Sequence, residues 1–323
     1  MEQRLKHPAI SVVMPLYNKE HEVNRAIQSI LSQTFADFEV IVVNDGSTDG
    51  GPERVRAVSD LRIRIIDQLN VGVSAARNRG IAEALGNLVA FLDADDEWEP
   101  DFLDNIVRLR DKFPSCMVFA TNYYLCGAND YRRLTIIRGL PKGFREGILN
   151  NYFKIAAQSD PPLSSSSVAV TKRAIESIGG FPLGVTSGED LLTWARLASR
   201  YDIAFCIEPK AFFWRSESLT TRPNRRPNIP DIVGHELSML FDTGAEQRLR
   251  GLREYLALWH RMRAIFYIQL DERTQAVKEI SLAFKYFPSV KLVFLFLIVL
   301  LPLNLTREIL SLLRLRWKTT RRE

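Results

Sequence analysis

Residues 88–92 form an unbroken run of five apolar side chains, and the run opens directly onto four acids, Asp93, Asp95, Asp96 and Glu97. A short apolar run of this kind is predicted to be a buried strand. The acids then stand just past its carboxyl end, where open α/β sheets place their ligands. Carboxylates packed this closely repel one another and resist ionisation unless a cation lies among them. Hard oxygen donors suit magnesium or manganese, and such a cation is most useful beside a phosphate-bearing substrate. Taken alone, the segment favours this metal–phosphate reading over a polar loop whose acids are solvated.

The first hundred residues repeat the pattern. Residues 9–14, 38–43 and 62–66 are apolar runs rich in β-branched residues and read as strands. Between the first two, Val23, Ile27, Ile30 and Leu31 share one helical face. NDGSTDGG at 44–51 is dense in turn formers, and Ser74 is expected to cap a helix running through Ala84. Strands alternating with helices predict an α/β fold with a mostly parallel sheet and right-handed crossovers. Farther on, residues 100–112 read as a helix and 117–124, 134–137 and 203–207 as strands. Residues 164–170 run from a polar loop into another strand. Glu189 and Asp190 open a helix reaching about Ser199, and the helix macrodipole favours acids in a first turn whatever else they do.

Bulk properties narrow the class. A composition of 46% hydrophobic and 25% charged residues is that of a globular protein, and 323 residues can bury a sizeable core. Cys116, Cys126 and Cys206 are odd in number and far apart, so they form neither a disulfide framework nor a zinc pattern, and a reducing compartment is expected. The four histidines are scattered and suggest no metal site. The opening MEQRLKHPAI lacks the apolar core of a secretory signal.

The C-terminal part changes character. Residues 220–230 are rich in Pro and Arg and read as a linker. From about Glu246, Leu249, Leu252, Leu256, Trp259, Met262, Phe266 and Leu270 make one apolar helical face, and a second helix is predicted over 272–286. The apolar run 292–301 has ten residues, bracketed by Pro288 and Pro302, where a spanning helix needs about 20. Residues 290–305 are therefore expected to lie in a membrane interface, with packing on the protein as the alternative. EILSLLRLRW at 308–317 mixes leucines with arginines as interfacial helices do. Residues 304–323 hold six basic residues against two acids, which accounts for most of the net charge of +5 and favours an anionic membrane. The expected division is a catalytic domain over 1–230, a helical extension over 231–287 and a membrane-associating tail over 288–323.

Taken together, SVVMPLYNKE at 11–20, VIVVNDGSTDG at 40–50, NVGVSAARNRG at 70–80, FLDADDEW at 91–98, GGFP at 179–182 and GEDLLTWARLA at 188–198 form a set. In order and spacing this set resembles the inverting family 2 glycosyltransferases of the GT-A fold, over roughly residues 9–220. The resemblance implies a Rossmann-like nucleotide-diphospho-sugar transferase domain. It implies transfer of one sugar, with inversion, from a nucleotide-diphosphate sugar to a glycan or lipid-linked acceptor in cell-surface polysaccharide, lipopolysaccharide or glycolipid assembly. By the same resemblance Pro15, Tyr17 and Asp45 hold the nucleoside, and the Gly72 loop lies on the nucleotide side. Asp95 is the direct ligand of Mg2+ or Mn2+, and Asp93 touches the ribose or the metal. Asp96 orients Asp95, and Asp190 is the catalytic base with Glu189 before it. Arg77 faces the acids in a role left open.

The chain departs from the family's pattern in places. Relatives carry a His near residues 214–222, where this chain reads WRSESLTTR, and Arg215 is assigned to the diphosphate instead. The Q-x-x-R-W element of processive members is absent, which favours single transfer. A nucleotidyltransferase would use similar aspartate–metal chemistry, but the Gly-rich basic loop that grips a triphosphate is missing. A silent nucleotide-sugar-binding scaffold would have no chemical need for Asp93, Asp95 and Asp190 together. No nucleic-acid partner is expected, and the expected location is the cytoplasm, peripherally on the inner face of the plasma membrane.

Overall fold

The computed structural model describes residues 7–129, 131–214, 226–242 and 246–302, together with residues 305 and 309. The amino-terminal half alternates as the apolar runs require: β1 (Ile10–Leu16), α1 (Val23–Leu31), β2 (Phe38–Asp45), α2 (Gly51–Arg56), β3 (Ile63–Gln68), α3 (Val73–Glu83) and β4 (Leu88–Phe91). A less regular middle follows, with β5 (Glu97–Trp98), α4 (Phe102–Lys112), β6 (Val118–Cys126), β7 (Arg132–Leu134), β8 (Glu146–Ile148), α5 (Tyr152–Gln158), β9 (Val168–Thr171), α6 (Lys172–Ser177), α7 (Glu189–Arg200) and β10 (Ile203–Trp214). Four helices close the described chain: α8 (Ile232–Met239), α9 (Leu252–Gln269), α10 (Arg273–Tyr286) and α11 (Val290–Leu300).

All ten strands join one sheet, whose main path is β3-β2-β1-β4-β9-β6-β10-β5. β3, β2, β1 and β4 are mutually parallel, β9 runs against β4 and β6, and β6 and β10 are again parallel. Successive residues of a strand face opposite sides, and both sides are buried here. Val13, Ile41, Val43 and Phe91 enter one core with residues of α5, α7, α8 and α9. Val12, Met14, Val40, Val42 and Ala90 enter a second core with α1 and α4. This burial on both faces is why the strands read as continuous apolar runs. The carboxyl ends of β1, β2 and β4 therefore open on one edge of the sheet.

The helical extension is built onto this framework. Val233 and Leu237 of α8 and Leu252, Tyr255, Leu256 and Trp259 of α9 belong to the same core as the strands. A smaller cluster joins the end of α9 to α10 and α11 through Tyr267, Ile268, Ile280, Leu295 and Val299. α11 buries Leu292, Leu295, Ile298 and Val299 while Val290, Val293, Phe294, Leu297 and Leu300 are exposed. One face of this run thus packs on the protein, as the alternative expectation had it, and the other remains apolar and uncovered. No helix of the described residues is long and apolar enough to cross a membrane. Apart from residue 309, the leucine–arginine segment at 308–317 lies outside the described residues.

Some local expectations are corrected. Ser74 does not cap α3; Gly72 is the cap residue, and Ser74 sits inside the first turn with its hydroxyl buried. β10 continues well beyond Ile207, because register shifts on either side of Pro209 carry the pairing with β6 past a residue that lacks an N–H. β7 is confined to Arg132–Leu134 instead of residues 134–137.

Candidate active site

The loops after β1 and β2 are zipped together. The Asn18 N–H donates to Ser47 Oγ (3.1 Å), the Thr48 N–H to Asn18 Oδ1 (2.8 Å) and the Glu20 N–H to Asp49 Oδ2 (2.9 Å). Gly46, with φ at +71°, lets a third loop approach, since a Cβ there would lie 2.8 Å from the Asn70 nitrogen. Asp45 then secures that loop. Its carboxylate accepts from the Val71 N–H (3.0 Å), the Gly72 N–H (2.9 Å) and Gln68 Nε2 (2.8 Å). Asp45 is accordingly buried and acts on the Gly72 loop directly. Pro15 lies in β1, and Tyr17 stands exposed just past its end.

The acids after β4 separate into distinct environments. Asp93 Oδ1 accepts from Arg77 Nη2 at 2.7 Å. Asp95 Oδ2 pairs with Lys19 Nζ at 2.6 Å, and its carbonyl accepts from Arg25 Nη2 at 2.6 Å. Glu97 turns away toward Arg25, 3.6 Å from Nε. Asp96 is buried, and its carboxyl accepts from Ser166 Oγ and from the Trp214 N–H (2.8 Å). Burial, reinforced by the charges of Asp95 and Asp93, holds the Asp96 carboxyl well above the usual carboxylate range. Its partners are thus Ser166 and Trp214, and it does not orient Asp95 by a hydrogen bond. Ser166 also accepts the Asp93 N–H (3.1 Å), which ties the acidic loop to the approach to β9.

Arg77 joins these acids to a distant part of the chain. It is only 3% exposed, and its Nη1 lies 3.8 Å from Glu189 Oε1 at the start of α7. Burial alone would lower the pKa of the guanidinium, but the carboxylates of Asp93, Glu189 and Asp190 outweigh it and raise the pKa overall. Next to it, Asn78 Nδ2 donates to the Phe181 carbonyl and Asn78 Oδ1 accepts the Phe181 N–H, both at 2.8 Å. The GGFP segment is thereby clamped to α3.

The two acids of α7 are both perturbed. Burial, with the neighbouring Asp190 charge, pushes the Glu189 carboxyl up to about 7 against the pull of Arg77. Burial also raises Asp190, whose Oδ1 accepts from the Leu191 N–H at 2.7 Å. Carboxyl groups tuned toward neutrality beside a cluster of charges are what proton-transfer chemistry requires.

The donor set suits a hard cation. Among the described residues, Oδ2 of Asp93 and Oδ1 of Asp95 have no hydrogen-bond partner. Magnesium is commonly held by one or two carboxylates together with substrate phosphates and water. Arg215 lies outside the described residues. Lys19, Arg25, Ser166 and Trp214 all shape the site. No spacing rule assigns them a role, although Lys19, Trp214 and Ser166 lie in segments that the sequence marks, at 11–20, 214–222 and 164–170.

The family model described as Glycosyl transferase family 2 matches residues 11–167. Over these residues the chain carries a family 2 glycosyltransferase domain, and its fold is of the GT-A type. An uncharacterized glycosyltransferase of Rickettsia felis is 30% identical over 207 residues, covering 62% of this chain and 32% of that protein. Glycosyltransferase GlyA of Streptococcus pneumoniae is 42% identical over 101 residues, 31% of this chain and 14% of that protein. The chain thus spans about a third or less of the length of these curated relatives. Among solved structures, TarS 1-349 of S. aureus in complex with UDP-GlcNAc superposes with a TM-score of 0.66 at 20% identity, covering 93% of this chain and 87% of that one. Mannosyltransferase PcManGT from Pyrobaculum calidifontis, in complex with GDP-Man and Mn2+, gives a TM-score of 0.58 at 21% identity, covering 98% and 85%. At these identities the likeness is one of fold.

Proposed function

We propose that this chain moves one sugar from a nucleotide-diphosphate sugar to an acceptor hydroxyl, with inversion at the anomeric carbon. The observation that carries the proposal is Arg77, which brings the acids after β4 and the acids of α7 around one buried guanidinium. The two solved neighbours that hold UDP-GlcNAc, or GDP-Man with Mn2+, support a nucleotide-sugar donor.

In this reading Pro15, Tyr17 and the Gly72 loop anchored by Asp45 receive the nucleoside. Asp95, with Asp93, holds Mg2+ or Mn2+; when bound, the cation supplies Lewis-acid neutralisation of the departing diphosphate. Asp190 accepts the proton of the acceptor hydroxyl as that oxygen bonds to the anomeric carbon. The nucleoside diphosphate leaves from the opposite face, which inverts the configuration. General-base assistance of this kind contributes roughly 10²–10⁴-fold. Arg77 holds Asp93 in place and balances the charge of Glu189, and Arg215 is assigned to the diphosphate. The acceptor is a glycan or lipid-linked sugar of a cell-surface polysaccharide, lipopolysaccharide or glycolipid. The exposed apolar face of α11, followed by the basic residues of 304–323, docks peripherally on an anionic membrane.

The test is a panel of nucleotide sugars, assayed with Mg2+ or Mn2+ and acceptor for release of nucleoside diphosphate. Asp190→Asn should lose most turnover and keep its affinity for the donor. Near-normal turnover in that variant would remove Asp190 from the role of base.

A further inference from the structure

The turn that leads into Glu189 and Asp190 is held from the helical extension. Gly188, the cap residue of α7, has φ at +85°, and a Cβ added there would lie 2.7 Å from the indole ring of Trp259 in α9. Trp259 Nε1 donates to the Asp231 carboxylate, 3.1 and 3.2 Å from its two oxygens. Asp231 in turn caps α8 through the Gly234 N–H (2.9 Å) and pairs with Arg263 Nε (3.4 Å). The same Nε lies 2.8 Å from Glu279 of α10, whose other oxygen meets His260 Nδ1 at 2.7 Å. Asp231, His260 and Glu279 bring ligand atoms within 4.8 Å of one another. The guanidinium already bridges the two carboxylates, so the cluster anchors Trp259.

Two further ties reach the same segment. Asn228 Oδ1 accepts the Thr186 N–H (3.2 Å) and Asn228 Nδ2 donates to the Gly184 carbonyl (3.0 Å), while Arg263 Nη1 donates to the Asn228 carbonyl (3.2 Å). The Tyr255 hydroxyl donates to the Leu191 carbonyl at 3.3 Å. Glycine in the left-handed region is conformationally permissive, so its own sterics do not set the direction in which the chain enters the helix. First turns of helices are also where local opening is easiest. A flat, buried ring laid against Gly188 removes both freedoms.

We propose that Trp259, fixed by Asp231, is a positioning residue for the general base: it sets the Gly188 turn and through it the aim of Asp190. This inference rests on the assignment of Asp190 as base. Misplacement of a reacting group by about 1 Å can cost on the order of 10²-fold in rate. Trp259→Ala in the full chain is therefore expected to lower kcat by roughly 10–100-fold while donor Kd stays within about twofold of wild type. Amide hydrogen exchange across residues 186–194 should accelerate in the same variant. Trp259→Phe keeps an aromatic ring but loses the Nε1 donor to Asp231 and the distal Cζ3 and Cη2 atoms nearest Gly188, so it should recover only part of the rate. If Trp259→Ala does not fold, Trp259→Leu carries the same measurements. Unchanged exchange and unchanged kcat would overturn the inference. Faster exchange with unchanged kcat would also overturn it, leaving Trp259 as a support of the fold alone. A wild-type chain that transfers no sugar from any donor would instead refute the functional reading, and the exchange measurement would still decide whether Trp259 holds the turn.

Discussion

Replacing Glu189 by Gln isolates the cost of burying its charge. The carboxyl is raised from 4.5 to about 7, first by burial, then by the Asp190 charge, with Arg77 opposing. A carboxyl raised in this way binds its proton more tightly in the folded chain than in the unfolded one. Its contribution to stability is therefore greatest at low pH, falls as pH rises from about 4.5 to about 7, and stays at the lower level above that. Each unit corresponds to about 1.4 kcal/mol, so ionisation costs the fold on the order of 3 kcal/mol. The Glu189 side chain is 14% exposed, so water screens little of this. Glutamine is neutral throughout and resembles the protonated acid. Glu189→Gln should exceed the wild type by less than about 1 kcal/mol near about pH 5 and by up to about 3 kcal/mol near about pH 8. The assay is urea unfolding at the two pH values in a chelating buffer, followed by tryptophan fluorescence. A stability difference that is the same at both pH values, or a destabilisation that grows with pH, would refute the reasoning.

Arg77→Met should destabilise the fold by about 3–5 kcal/mol, because it strands Asp93 and Glu189 without their buried partner; a loss under about 1 kcal/mol in chemical denaturation would contradict the pairing. Asp95→Ala should abolish the metal-dependent part of donor binding in calorimetry with little change in Tm, and full metal-dependent affinity in that variant would count against Asp95 as ligand. Phe294→Ser combined with Leu297→Ser alters only exposed positions of α11. It should weaken sedimentation with anionic vesicles, as should deletion of residues 288–323, and unchanged binding in both would reject the membrane contact.

The parts of this molecule that were legible in its sequence share a physical cause. β1, β2 and β4 are buried on both faces, so each appears as an apolar run, and the sheet edge then follows from their polar ends. The register of the motifs made Asp93 and Asp190 site candidates; the structure pairs Asp93 with Arg77, and from α7 it is Glu189 that lies 3.8 Å from the same guanidinium. Which acid does what was not legible. Asp96 differs from Asp95 because Ser166 and the Trp214 backbone enclose it, and both are far away in the chain. Arg77 is expected from its motif to face the acids after β4, but that Glu189 at the start of α7 meets the same guanidinium is set by tertiary packing alone. Trp259 belongs to an apolar helical face and is indeed core. Its contact with Gly188 depends on how α9 crosses the start of α7, and no periodicity encodes that. Ser74 failed as a cap because Gly72, in the left-handed region, already turns the chain into α3.

The anomeric configuration of the transferred sugar tests the central claim most directly. Nuclear magnetic resonance of the product formed by the wild-type chain, with nucleoside diphosphate as co-product, should show the configuration opposite to that of the donor. Retention of the donor's configuration, or release of pyrophosphate in place of nucleoside diphosphate, would contradict the account.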